Sequence, residues 1–439
     1  MFGLLLRIKV TDYPFKYRVF SLLTLFGIFL LTINIRAGSG NEFNILAALL
    51  RSNSFFLIVV IYGSFFLRGF IFKRFLIANS IVVNSLLLLP IILIFFILVA
   101  TAKNAYEYGV VYNLFGLYDF LNMIFYIFFG FIIYKLLLFN EGFEIAIMRI
   151  FLFTPLFNLL IIFIWLILPL DSFLSSLSLF NNNGDGYSIV GLGGRLQVFA
   201  SNPNILAVQT CIAYAVALPI LFKGGVKGIF KRTAFLFYLI MLIVMIIWSG
   251  SRAALLSILF VSMLFIFNNA RSVAYSLFSA IVLVFFVVFV WSLMSMHGSE
   301  FETLSRFSSQ EDGRLFIWSY YIDLILDSIV DTGALREGQR LTAHNAFIMT
   351  AIYAGVIGLV VNIVIIYFVF YAGLCNPNKG NNSLGMLLAF SAIIVNYFFG
   401  GSFIGDPNFT IIMALILANY MRNRTYSKYN VAQPRKVLI

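Results

Sequence analysis

The sequence predicts an all-α integral membrane protein with about twelve transmembrane helices. Three observations lead there. Of 439 residues, 62% are hydrophobic and only 10% charged, and the mean hydropathy is +1.01, far beyond what a soluble core requires. The apolar residues fall into long runs, and about 20 of them as helix cross a hydrocarbon layer of roughly 30 Å. The charged residues sit in short segments between the runs, with basic residues enriched on one side and acidic residues on the other.

In chain order the candidate spans are 19–35, 55–67, 75–100, 120–139, 150–170, 205–222, 234–248, 253–267, 274–294, 346–371, 384–403 and 409–420. The runs 55–67 and 409–420 are the shortest. The first run lacks a small-residue cleavage site and is expected to be a retained span. The segment 295–343 is long and polar enough to form an external loop inserted into a single membrane domain, 1–439. No internal repeat and no low-complexity linker divides the chain.

Orientation follows from the loops. Twenty of the 29 Lys and Arg residues fall on one side of this topology, among them Arg7, Lys9, Arg68, Lys73, Lys223, Lys231, Arg271, Lys379, Arg422 and Lys436. Positively charged loops stay in the cytoplasm, so both termini are expected inside. The other side holds nine basic residues: Arg36, Arg51, Lys103, Arg195, Arg252, Arg306, Arg314, Arg336 and Arg340. Eight are Arg, whereas the cytoplasmic set is ten Arg and ten Lys. Arg grips phosphate or carboxylate through a planar fork of donors, while Lys is a hydrated point charge. Arg kept on the side that membrane proteins usually deplete of positive charge points to an anionic substrate handled there. The isoelectric point near 9.6 reflects these loops and gives no reason to expect nucleic acid as a partner.

Three outer places can do chemistry. In the first, Gly191-Leu-Gly-Gly-Arg195 precedes Ser201-Asn-Pro-Asn204. Proline disfavours helix at Asn202, and Pro203 with Asn204 suits a helix start. A helix N-terminus beside Arg195 offers dipole and free N–H groups to an anion. A glycine-rich surface loop carrying one Arg explains the same residues without function.

The second is Trp248-Ser-Gly-Ser-Arg252, wedged between two apolar runs. Arg at a span centre costs roughly 2.5–3.5 kcal/mol on insertion scales, less near the interface. Ser249 or Ser251 can cap the following helix, which puts Arg252 in its first turn, where the dipole disfavours a cation. The competing reading is an Arg snorkelling to the headgroups.

The third is the long loop. Leu315, Trp318, Ile322, Ile325 and Ile329 recur at helical spacing, with Ser319, Asp323 and Asp327 opposite. This predicts an amphipathic helix on the outer leaflet, opened by Asp312-Gly-Arg314. The loop closes on His344-Asn345, just before a span. At a helix start the dipole disfavours imidazolium and leaves a neutral ring able to take a proton. His297, in the same loop, reads as structural. The chain has no HExxH, no CxxC, no nucleotide-binding loop and no nucleophile elbow. No metal site and no cofactor are predicted, and the acidic residues of the loop read as solvated. Cys211 falls in an apolar run and Cys375 in a cytoplasmic loop, so no disulfide is expected between them.

Taken in order, Gly194-Arg195 with Asn202-Pro-Asn204, then Ser249-Gly-Ser-Arg252, Gly313-Arg-Leu-Phe-Ile-Trp318 and His344-Asn345 resemble the O-antigen polymerase/ligase superfamily (Wzy and WaaL). The likeness extends over roughly 190–365; the first five spans share hydropathy alone. Ala253 stands where the family often has Gly. The resemblance implies a C-type glycosyltransferase-like helical fold and a metal-independent membrane glycosyltransferase. It also implies undecaprenyl-diphosphate-linked glycans as donor and acceptor, and an active site on the periplasmic face of the bacterial inner membrane. A chain-length regulator protein is then a candidate partner beside the membrane lipids. By the same resemblance Arg195 and Arg252 would hold the diphosphate with help from Arg314, and His344 would orient or deprotonate the acceptor hydroxyl. Asn204, Asn345, Arg336 and Arg340 are secondary candidates. A polymerase is the expectation, a ligase the alternative. A twelve-span transporter or flippase, or a lipid-binding scaffold, are rivals of other classes, though transporters tend to place polar groups near the midplane.

Overall fold

A computed structural model describes residues 21–29, 92, 129–130, 133–134, 136–138, 141–167, 196, 203–223, 228–269, 314–327, 345–376, 380–399 and 406–432. Their regular elements are helices: α1 (Glu141–Ile167), α2 (Pro203–Phe222), α3 (Ile229–Trp248), α4 (Arg252–Asn269), α5 (Arg314–Asp327), α6 (Ala346–Leu374), α7 (Asn381–Phe398) and α8 (Pro407–Ala432). Six contain stretches long and apolar enough to cross a membrane: Gly142–Ile164, Asn204–Phe222, Ile229–Trp248, Arg252–Asn269, Ala354–Leu374 and Asn381–Phe398. The described elements are helical, as in a multi-pass integral membrane protein. The expected spans 55–67 and 274–294 lie outside the described residues, as does all of 295–343 except α5; the spans 75–100 and 120–139 are described only in fragments.

Most helices begin earlier than hydropathy suggests. Helix α1 starts at Glu141, so Arg149 lies within it and not ahead of it. Helix α8 runs 26 residues to Ala432, well past the apolar stretch that ends near Tyr420. Polar side chains do not stop a helix; only lost hydrogen bonds or backbone clashes do.

The chain forms two compact units. The first comprises Met1–Tyr62, Ala146–Asp312 and Leu388–Gly400. Its centre is α2, which packs against α3 and α4. Ala207, Ala213, Ala215 and Ala217 give α2 the small surface that lets neighbours approach. Ile162, Leu206 and Met245 pack with Leu196 at one level. Ala213, Ala217, Tyr238, Leu239 and Leu242 pack at a second, where the Tyr238 hydroxyl donates to the Leu152 carbonyl at 2.6 Å. On α3, Leu236, Phe237, Ile240 and Val244 stay exposed, an apolar stripe suited to lipid.

The second unit comprises Gly63–Ile145, Gly313–Leu387 and Gly401–Ile439. Helix α6 packs against α5 and α8. It is not one straight span: Gly355 has φ 69° and ψ −177°, a conformation open to glycine and costly for other residues. The break follows Ala354, and Asn362 Nδ2 reaches back to Thr350 Oγ1 at 3.3 Å. A buried polar hub ties this unit together. Arg422 pairs with Glu144 and donates to the Leu137 carbonyl. Asn419 donates to Glu144 and Ser383, and Asn423 donates to Asn376 and Asn419.

Candidate functional site

The turn between α3 and α4 holds the Trp248-Ser-Gly-Ser-Arg252 motif of the first unit. Ser249 closes α3: its N–H donates to the Met245 carbonyl and its hydroxyl to the Ile246 carbonyl at 2.6 Å. Gly250 then takes φ 62°, the left-handed conformation that ends helices and that glycine adopts without strain. Ser251 caps α4. Its hydroxyl accepts from the Ala254 N–H at 3.4 Å, and its carbonyl accepts from the Leu255 N–H at 3.2 Å. Of the two serines that could cap, Ser251 does so, and Arg252 is the first residue of α4, half-buried. The dipole opposes a cation at that place, so helix stability does not account for it.

The start of α4 is held from two sides. The Ser257 hydroxyl donates to the Ala253 carbonyl and accepts from Asn396 Nδ2 of α7 at 2.6 Å. Cys211 of α2 donates weakly to the Ala254 carbonyl, with sulfur 3.5 Å away. Lower on the same pair of helices, Tyr214 and Ser262 share a 2.9 Å hydrogen bond. Arg252 therefore rises from a braced helix start.

A backbone bond joins this turn to the first motif. The Leu196 N–H donates to the Trp248 carbonyl at 3.2 Å, and Leu196 is fully buried against Ile162, Leu206 and Met245. Leu196 follows Arg195 in sequence, and Trp248 opens the Trp-Ser-Gly-Ser-Arg motif. Helix α2 begins at Pro203, where the sequence predicts it, with Asn204 half-buried in the first turn. Arg195 itself lies outside the described residues.

In the second unit Asn345 caps α6. Its backbone is extended (φ −145°, ψ 118°), and its side-chain oxygen accepts from the N–H groups of Phe347 at 2.9 Å and Ile348 at 3.2 Å. Its carbonyl accepts from the Met349 N–H. Asn345 is buried, so its capping oxygen serves two N–H groups that lie in or beside the α5–α6 contact. This role as a cap was not read from the sequence, although Asn immediately before an apolar run is a recognised cap signal.

Helix α5 packs on the beginning of α6. Tyr321 is buried with Ile348 and Ile352, flanked by Ile317, Trp318, Tyr320, Ile325 and Met349. The buried stripe is thus rotated from the predicted one. Trp318 and Ile325 belong to it, but Ile322 is exposed and Tyr321 takes the central place. The periodicity placed the aliphatic residues inward and ignored Tyr321, whose ring buries more surface than Ile322 offers. Along this face α5 packs against protein. Burial raises the Tyr321 phenol above its ordinary value near 10. Arg314 opens α5 as expected. His344, Arg336 and Arg340 lie outside the described residues.

So the structure ties the sequence neighbours of Arg195 and Arg252 together in one unit, and the helices begun by Arg314 and by Ala346, next to Asn345, in the other. Among the described residues no three His, Cys, Asp or Glu side chains gather around a place for one ion. Cys211 and Cys375 are both free thiols. Residues 237–363 match the family model described as O-antigen ligase; the matched stretch includes Arg252, Arg314, His344 and Asn345 and stops short of Arg195 and Asn204. No curated protein matches the chain.

Proposed function

We propose that this chain, whose residues 237–363 match the family model described as O-antigen ligase, is an O-antigen polymerase, a membrane enzyme of surface-polysaccharide biosynthesis. It joins glycan repeat units carried on undecaprenyl diphosphate at the periplasmic face of the bacterial inner membrane, with both termini in the cytoplasm. The observation that carries this reading is the bond from Leu196 to Trp248. It joins Leu196, the residue after Arg195 in sequence, to Trp248, four residues before Arg252, and so supports a site built from both motifs.

The chemistry suits these residues. Breaking a glycosyl–diphosphate bond expels a stable anion, so the leaving group needs no proton. Fixed positive charge where negative charge develops helps most. Arg195 and Arg252 grip the diphosphate bidentately, with Arg314 assisting. His344 takes the proton from the acceptor hydroxyl as it attacks the anomeric carbon. Asn204, Arg336 and Arg340 are further candidates for contact with donor or acceptor. No metal and no cofactor takes part in this scheme, and a chain-length regulator is a candidate partner.

The test is to incubate purified protein with its lipid-diphosphate repeat unit and resolve the products on a gel. A ladder of multiples is expected; unchanged single units overturn the proposal. EDTA-treated protein should keep its activity, and a full loss reversed by Mg²⁺ would refute the metal-free scheme. A second reading rests on the description of the matched family, O-antigen ligase: transfer of finished polymer to lipid A-core. Gene deletion separates the two. Loss of a polymerase leaves core capped with a single unit; loss of a ligase leaves bare core and accumulated lipid-linked polymer.

A further inference from the structure

Thr350 and Asn362 are the two non-aromatic polar side chains among the 29 residues of α6, and they bond to each other. Asn362 Nδ2 donates to Thr350 Oγ1 at 3.3 Å. The Thr350 hydroxyl donates in turn to the Ala346 carbonyl at 2.7 Å. Thr350 is fully buried and Asn362 nearly so. Asn362 lies inside the apolar stretch Ala354–Leu374, where a membrane leaves no bulk water to compete for the bond.

A continuous helix cannot make this bond. Residues 12 positions apart stand about 18 Å apart along such a helix. Two short side chains, with covalent bonds of about 1.5 Å, and a 3.3 Å hydrogen bond reach about half that far. Gly355, with φ 69°, lies between them, five residues after Thr350 and seven before Asn362. The arms on its two sides are therefore about 7.5 and 10.5 Å long, with Cα atoms about 2.3 Å off each axis. Such arms bring the two side chains into reach only where they meet at about a right angle or less. Residues 346–354 thus turn away from the line of the span as a short arm. Ile348 and Ile352 on this arm pack with Tyr321 of α5, and Asn345 caps its start.

We propose that Asn362 is a positioning residue: through Thr350 it holds the short arm of α6 at its angle to the span, and with the arm the helix start at Asn345, beside His344. This rests on the reading of His344 as the group that takes the acceptor proton. Gly355 sets where the chain turns, and the Asn362–Thr350 bond sets how far. The two hydrogen bonds end on Ala346, two positions after His344 in sequence. An arm free to swing would carry that segment with it, and a displacement of about 1 Å in a reacting group costs up to about a hundredfold in rate. Asn362 acts from within an apolar run, where no motif marks it.

The experiment uses the full-length protein in detergent and has two arms. In the first, Cys211 and Cys375 are replaced by Ala, and a short bis-maleimide is applied to the pair Thr350→Cys with Asn362→Cys. It should bridge this pair as it bridges the control Gly358→Cys with Asn362→Cys, one helical turn apart. A bridged control beside an unbridged 350–362 pair overturns the proposal. In the second, Asn362→Leu and Thr350→Val should each lower kcat per folded molecule by about tenfold or more, with KM for the lipid-linked donor changed by less than about twofold. The double variant should fall no further than either single, because one bond serves both, and Thr350→Ser, which keeps the hydroxyl, should hold the wild-type kcat. A bond that only stabilises the fold would lower the yield of folded protein and leave kcat per folded molecule unchanged; that result, or additive losses in the double variant, overturns the proposal. The bridge does not depend on glycan synthesis, so a bridged protein that makes no ladder refutes the polymerase reading and leaves the arm geometry standing.

Discussion

Asn345 separates a structural part from a chemical one next to His344. Its side-chain oxygen accepts two backbone N–H groups, at 2.9 and 3.2 Å, at a place with 3% exposure. Loss of an Asn cap costs about 0.5–2 kcal/mol, and a buried donor left without a partner adds on the order of 1 kcal/mol or more. Asn345→Ala should therefore cost roughly 1–3 kcal/mol, which at about 2–4 °C per kcal/mol lowers the melting temperature by about 2–12 °C. Asn345→Asp keeps the accepting oxygen and adds a negative charge that the helix dipole favours by roughly 0.3–1 kcal/mol. It should melt at or above the wild type. Beside an anionic substrate, however, that carboxylate repels, so the Asp variant should fold well and synthesise little polymer. Scanning fluorimetry in detergent, paired with glycan gels, reads both. If the Asp variant melts with the Ala variant, or Ala melts within about 1 °C of the wild type, the cap is not what holds the start of α6.

Three further outcomes are expected. Arg252→Lys should keep the fold and lose activity about tenfold or more, because charge survives while the fork does not; wild-type glycan ladders would exclude bidentate grip. Arg422→Ala leaves Glu144 buried without its cation and should destabilise by roughly 3–5 kcal/mol, whereas Glu144→Leu combined with Arg422→Met should recover most of it; equal melting of the single and double variants would contradict this. Burial holds the Tyr321 phenol above its ordinary value, so the α5–α6 contact is fully stable below about pH 10 and weakens as pH rises through the raised value. Protease sensitivity of α5 should increase there in the wild type and not in Tyr321→Phe.

Much of the site was legible because the signals are local. Pro203 opens α2, Ser251 caps α4 and Arg252 sits in its first turn, each set by dihedral preference and capping within four residues. Hydropathy located the helices for the same reason. The α5 face was misread by one residue, since periodicity cannot weigh a buried Tyr321 against Ile322. The break at Gly355 gave no warning, because a glycine in an apolar run is compatible with an unbroken membrane helix.

By itself the sequence determined that this chain is a multi-pass membrane protein and where most of its described helices lie, because burial in lipid acts on composition and spacing alone. Only the tertiary structure decided that Leu196 bonds to Trp248 and that Asn396 braces Ser257. Those pairings join residues 52 or more positions apart, and no local preference of either partner specifies the other; the packing of the first unit does.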